Sequence, residues 1–449
     1  MPGILGPDEA RRVAKAALEL PGADAVEVLF VHEWGGLTRF ATSAIHQSTW
    51  REDTAIRVRV AREGRVGVAA TNAFSPEGAR RVAESALEMA AIVSPDPLFP
   101  GLAPQREIPG DVAFDETTAA TTPEARAEAV ARLVARCDDG LVAAGAFETM
   151  ASEVAVANTE GQFCWAPSSQ ASLTTVVTGP DGGSGFAETF APGPSELDAE
   201  AVGRRAAEKA RASRSPTDLE PGRYTVVLEP PAVSTLVGFL ASIGFGGRDL
   251  VEGRSCFAGK EGSQVAASSV SIYDDATEPG TLGIPFDFEG VPRHRVDLIR
   301  DGVFVDGVYD LRTAKRAGKE TTGHALPAPN PEGPFPLNLF MTPGDARIDE
   351  MIGATEHGVL VTRFHYANIV HPVESVITGM TRDGTFLIEH GEVTAPVKNL
   401  RFTQSIVEAL TNTTMIGRET ELASEFFFSA SRVPALLIEG FGFTGRSDH

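Results

Sequence analysis

Residues 224–245 read YTVVLEPPAVSTLVGFLASIGF, and this stretch decides how the chain is organised. Its first part, YTVVLEP, is a short run of β-branched and large apolar residues, the pattern of a buried strand. Its second part, residues 231–245, is apolar on most sides of a helical wheel. A helix without a polar face belongs inside a core. Just upstream, residues 214–222 (RSPTDLEPG) combine Pro, Gly and charge, which marks a linker. The reading therefore places a boundary there, with domains at 1–213 and 223–449. Beyond the apolar helix the sequence breaks into short strands punctuated by glycine: VSIYDD, RVDLIRDGVFV, GVLVTRF, SVITGMTRDGTFLIEHGEV and PALLIEG. One amphipathic helix is expected at residues 402–410. The second domain should be mainly β around one buried helix.

The first domain reads differently. Residues 7–20 form an amphipathic helix with Ala10, Val13, Ala14, Ala17 and Leu18 on one face. Residues 25–31 (AVEVLFV) are a buried strand, and Gly35-Gly36 is expected to turn the chain. Residues 55–60 (AIRVRV) alternate as a strand, and Gly64 separates them from the next. Ser75-Pro76-Glu77 and Thr122-Pro123-Glu124 are helix starts, each with a hydroxyl cap followed by proline. Residues 148–191 read as a meander with a hairpin turn at 180–185 (PDGGSG), followed by an Ala-rich helix over 197–213. The expected class is α+β, with helices and antiparallel sheet first.

Composition sets outer bounds. The 449 residues carry 61 Asp plus Glu against 39 Lys plus Arg, a net charge of −22. Such a surface repels nucleic acid phosphates and anionic lipid, so bulk electrostatics disfavours both as partners. The three cysteines, Cys137, Cys164 and Cys256, are too far apart for a CxxC site and do not form a disulfide framework. The opening MPGILGPDEARR lacks the basic start and apolar core of a secretory signal, and no apolar run reaches the ~18 residues of a membrane span. A cytoplasmic protein is expected.

Motifs for metal chemistry are sparse. No HExxH occurs; His32-Glu33 is the one His-Glu pair, read as a strand end without a chemical role. His365 and His371 are separated by an even number of residues and would share a face of one regular strand, although Asn368 and Pro372 argue against an unbroken one. His324 sits in a loop, TTGHALPAPNP. Asp274-Asp275 could meet a cation, but YDDATEPG also reads as an acidic turn, which is the simpler reading. The formal GxGxxG at Gly440, Gly442 and Gly445 is set aside, because the sequence ends four residues later and leaves no helix to open.

An ordered succession of segments resembles the TldD/PmbA (TldE) family, also described as modulators of DNA gyrase. Residues 253–262 (GRSCFAGKEG), with Lys260, look like its glycine-lysine segment. VSIYDDATEPGT and FDFEGVPRHRVDLIRDGVF follow at the family's spacing, then Thr322-Gly323, Asn338-Leu339, GVLVTR with Arg363, and Thr378-Gly379. The resemblance spans nearly the whole chain. It implies an intracellular peptidase-like protein. The family's metallopeptidase member carries His-Glu-x-x-x-His on the helix before the glycine-lysine segment, and a late cysteine. Counting back from Ser255 puts Gly238, Phe239 and Ile243 at those positions, and no cysteine follows Cys256. The resemblance thus implies a PmbA/TldE-type subunit with no catalytic residue and no metal of its own. Zinc would sit in a TldD-type partner, and the pair would trim peptides. Substrate-binding candidates are Lys260, Asp274, Asp275, His324, Arg363, His365 and His371. Two other readings stand beside it: a self-sufficient peptidase using His324, His365 or His371, and a stand-alone peptide-binding or regulatory protein. A dimer through the C-terminal domain is expected, either with a TldD-type chain or with itself. Residues 426–428 (FFF) should lie at an interface or cleft, because successive strand side chains point to opposite faces.

Overall fold

The computed structural model describes residues 3–109, 114–279, 281–426 and 429–447. The first half builds α1 (Pro7–Leu18), β1 (Ala25–Ala41), β2 (Ala44–Arg62), β3 (Arg65–Thr71), α2 (Pro76–Ile92), α3 (Glu116–Ala120), α4 (Pro123–Val134), β4 (Val142–Asn158), β5 (Phe163–Thr178), β6 (Ser184–Ala191) and α5 (Ala199–Ala212). The strands form one antiparallel sheet in the order β3-β2-β1-β4-β5-β6. The expected caps form: Ser75 Oγ accepts from Gly78 N at 3.0 Å, and Thr122 Oγ1 from Ala125 N at 3.2 Å. Alternation along β1 gives the sheet two different faces. Val26, Val28 and Phe30 pack under α1 and α2, while Leu29 joins Val154 and Val156 of β4 on the opposite face.

The expected turn at Gly35-Gly36 does not form. β1 runs straight through both glycines, paired with β2 on one side and β4 on the other. The glycines serve close packing instead. A Cβ at Gly36 would fall 2.2 Å from Nη2 of the buried Arg126, and one at Gly35 would fall 2.2 Å from the Thr149 carbonyl oxygen. The chain turns later, at Thr42 and Ser43, whose φ angles of 49° and 58° suit a two-residue hairpin. His32 is likewise no strand end. It lies buried within β1, with Nδ1 3.3 Å from Glu153 Oε1.

The second half contains β7 (Gly222–Leu228), α6 (Pro230–Ile243), α7 (Gly247–Glu252), β8 (Ile272–Asp274), β9 (Val296–Arg300), β10 (Val303–Phe304), α8 (Leu311–Ala317), β11 (Leu339–Met341), α9 (Ile348–Gly353), β12 (His357–His371), β13 (Val376–Glu389), β14 (Glu392–Pro396), β15 (Leu400–Ser405), α10 (Ile406–Thr411), β16 (Thr413–Phe426) and β17 (Ser429–Arg446). All these strands belong to one mixed sheet. Its strands β17, β15, β13, β12 and β7 close on themselves, because β7 pairs with both β12 and β17. Phe364, Phe402 and Phe441 pack against one another within this core, with ring centroids 4.4–5.7 Å apart. The buried helix is where the sequence puts it: α6 is buried from Pro231 to Ala241 and again at Ile243, and packs on β12, β16 and β17. The α+β class holds for both halves.

Two expectations change here. Residues 402–405 belong to β15, and the helix begins only at Ile406, where Ser405 Oγ accepts from Glu408 N. β12 continues to His371, but its register slips between His365 and Asn368 and again before His371, so the two histidines do not sit on one regular ladder. Of residues 426–428, expected at an interface or cleft, Phe426 ends β16 and 427–428 lie outside the described residues.

Candidate functional site

The strongest gathering of the nominated residues is a buried polar cluster at the end of β8. Asp274, with no exposed surface, takes His324 Nε2 at 2.8 Å and Arg293 Nη2 at 2.8 Å on Oδ1, and the Asn338 backbone N–H at 2.7 Å on Oδ2. Arg293 Nη1 donates to Asn338 Oδ1 at 2.8 Å, and Asn338 Nδ2 donates to Thr281 Oγ1 at 2.8 Å. Burial alone would raise the Asp274 carboxyl, but Arg293, His324 and the Asn338 N–H outweigh it and hold the group down at about 2. Burial pushes His324 below its ordinary value, against the pull of Asp274. Its Nε2 faces the carboxylate, and its Nδ1 lies 2.9 Å from the Thr322 carbonyl oxygen and 3.0 Å from Thr322 Oγ1. The acidic-turn reading fits only the second aspartate: Asp275 Oδ1 accepts from Thr277 N at 2.8 Å, whereas Asp274 is core.

The remaining candidates are scattered. Arg363 is half-buried, pairs with Asp383 through Nε at 2.8 Å, and lies 4.2 Å above the Phe186 ring of the first half. His365 is pushed down by burial and by its neighbours Arg363 and Arg382. Lys260 is exposed on the glycine-lysine segment. His371 is exposed and accepts from Glu374 N at 3.3 Å.

Arg293 and Asn338 complete the cluster, yet neither was nominated from sequence. A second unnominated group joins the halves. Arg59 of β2 donates to Glu27 of β1 at 2.8 Å and to Glu289 at 2.9 Å, and Glu289 also accepts from Leu311 N at the start of α8. Asp287 accepts backbone N–H groups from Glu289, Val291 and Ala325. Burial first, and then Glu289, push the Asp287 carboxyl up to about 8, opposed by those three donors. Phe286 packs onto Leu29, Val154 and Val156 beside them. The signal was present in FDFEG as two acids spaced by one residue, but its partners are distant in sequence.

The helix that should carry a metal has nothing to bind one. Gly238, Phe239 and Ile243 are buried in the main apolar core, and none offers a lone pair to Zn²⁺. Among the described residues no three of His, Cys, Asp and Glu converge as a metal site. The Cys164 and Cys256 thiols are pushed up to about 12, chiefly by burial. At the start of α6 a cavity of about 210 Å³ opens between the halves, lined by Arg205, Glu229, Pro230, Arg347, Arg418 and Glu421. Among the described residues no helix is long and apolar enough to cross a membrane.

An antiparallel sheet joined through buried acids to a partly closed mixed sheet, with a largely buried helix packed in the latter, defines a two-sheet α+β architecture. The sequence profile of the PmbA/TldA metallopeptidase C-terminal domain matches residues 221–445, that of the central domain 109–214, and that of domain 1 26–90. The chain belongs to the PmbA/TldD family. It is 25% identical to "Metalloprotease PmbA" from Escherichia coli O157:H7 over 94% of each chain. It is 28% identical to a metalloprotease of Methanothermobacter thermautotrophicus over 51% of this chain and 50% of that protein. Its fold superposes on TldE from Thermococcus kodakarensis with a TM-score of 0.87 at 21% identity, covering 98% and 99% of the two chains.

Proposed function

We propose that this chain is the PmbA/TldE-type subunit of a cytoplasmic two-chain peptidase whose zinc is held by a TldD-type partner. One observation carries the reading: α6 has Gly238, Phe239 and Ile243 at the positions where the resemblance expects metal ligands, and all three are packed in the core. Replacing such residues by ligands would require burying unpaired polar groups, so the site is not one conservative change away from a metal centre. The two sheets are the cores of two domains, 1–213 and 223–449. The cavity at the α6 N-terminus supplies the peptide contact, because it reaches this helix and offers cations and carboxylates together.

The test is co-expression with a TldD-type chain, followed by mass measurement, elemental analysis and a peptidase assay. A complex active only with both chains present, its zinc tracking the partner, is the expected outcome. About one zinc per chain together with peptide hydrolysis by this chain alone would overturn the assignment.

A further inference from the structure

A second cavity between the halves differs in character from the one at α6. It holds about 260 Å³ and is lined by Ser184, Ser213, Thr385, Lys398, Asn399 and Ser447. Glu229 and Glu421 line the α6 cavity, whereas among the described residues no carboxylate lines this one. Its walls come from the β5–β6 hairpin and the end of α5, from the linker, and from β13, the β14–β15 connection and the end of β17. They are fixed by short-range bonds. Ser213 Oγ accepts from Ser184 N at 2.8 Å and donates to the Ser184 carbonyl oxygen at 2.7 Å, which pins the hairpin to α5. Thr217 N donates to the Pro396 carbonyl oxygen at 3.0 Å, Lys398 N to that of Thr217 at 2.9 Å, and Ser447 N to that of Asn399 at 2.9 Å. A ligand entering such a cavity has little ordering to impose.

Two lining groups have bonding capacity to spare. Thr385 is 2% exposed, and its buried Oγ1 has no partner among the described residues. A buried hydroxyl without a partner is costly, and each one calls for an explanation. Thr385 directly follows a bulge in β13, where Thr362 opposes both Asp383 and Gly384, whose φ angles are 55° and 126°. Bulges of this kind re-aim side chains beside sites. Lys398 Nζ lies 3.1 Å from Asp218 Oδ1, a residue outside the wall. That contact occupies one of its three N–H donors.

We infer that this cavity binds the phosphate group of a small ligand, inorganic phosphate or a phosphomonoester, with the Thr385 hydroxyl and the Lys398 ammonium as donors. A tetrahedral oxyanion presents acceptor oxygens in several directions, which suits donors carried on separate segments, and lysine serves it as a point charge. A planar carboxylate would favour the fork of a guanidinium, and among the described residues no arginine lines the wall. Because the walls belong to both halves, a bound ligand staples them together. Nothing in the inference depends on the assignment as a peptidase subunit.

The experiment is isothermal titration calorimetry on the full-length chain at constant ionic strength, with inorganic phosphate and with glycerol phosphate as probes. Saturable one-site binding of at least one probe is expected, together with a thermal midpoint that rises with its concentration. The stronger of the two probes tells free phosphate from an ester. Thr385→Val should weaken binding about tenfold, the worth of one hydrogen bond to a charged group. Lys398→Met should weaken it by more than that, and Lys260→Ala should leave it unchanged. Without ligand, the thermal midpoint of Thr385→Val should equal or exceed that of wild type, because a hydroxyl with no partner is removed. Three results would overturn the inference: neither probe binds, binding is unchanged by Thr385→Val or by Lys398→Met, or unliganded Thr385→Val melts several degrees below wild type.

Discussion

Helix α6 and the Asp274 cluster lie in the same half of the molecule and are both largely buried, yet they use burial in opposite ways. α6 meets its surroundings through apolar contacts spread over many residues. The cluster concentrates one carboxylate, one guanidinium and one imidazole in a space with no exposed surface. Losses in the first are local cavities. A loss in the second leaves a charge stranded in a medium that cannot solvate it. Polar residues that look catalytic in a sequence can therefore be the most demanding structural residues, and an apolar helix can occupy the place where chemistry is sought.

The sharpest way to break this comparison is Asp274→Ala. It strands Arg293, and a loss of about 3–5 kcal/mol is expected in urea denaturation. A loss below about 1 kcal/mol would show that the cluster tolerates an uncompensated charge. Next comes Leu236→Ala in α6, expected to cost about 3 kcal/mol from lost burial and a residual cavity. If it cost more than Asp274→Ala, the ranking of charge over packing would fail.

Acid should dissolve the difference between the regions. The Asp274 carboxyl is held down at about 2 in the folded state, below its unfolded value near 3.8. The stability it contributes is present above pH ~4 and is lost as pH falls toward 2, an effect on the order of 2 kcal/mol. The gap between wild type and Asp274→Ala should therefore narrow over that window, while the cost of Leu236→Ala stays constant. Asp287 runs the other way. Its raised carboxyl contributes stability below pH ~4 that declines as pH rises toward about 8. Asp287→Asn should flatten the pH dependence of the urea midpoint between 4 and 8. Smallest of all is Lys260→Ala, expected within about 0.5 kcal/mol of wild type, because the residue is exposed.

Much of the fold was legible because its causes are local. The all-round apolarity of residues 231–243, the Ser75 and Thr122 caps and the PDGGSG hairpin each declare themselves within a few residues. The errors came where distant atoms decide. Gly35-Gly36 reads as a turn until Arg126, far along the chain, is seen to fill the space above Gly36. Phe402 fits a helical stripe, but pairing of β15 with β13 and β17 holds it extended. The cluster was half visible: Asp274 and His324 could be nominated by type, but their partners Arg293 and Asn338 are brought in by the sheet. No spacing rule links residues 274, 293, 324 and 338.

Arg126 resting on Gly36 also bears on how such chains can diverge. Its guanidinium is wholly buried, bonded through Nε to Thr38 Oγ1 and through Nη1 to Thr149 Oγ1 and the Thr121 carbonyl. It cannot discard its proton to ease burial. Any side chain at position 36 would evict it, and a short residue at 126 would leave the glycine facing a void. The two sites therefore form a single heritable unit. A change at one position is tolerated only with a compensating change at the other, so substitutions at 36 and 126 are coupled rather than additive in their cost to stability.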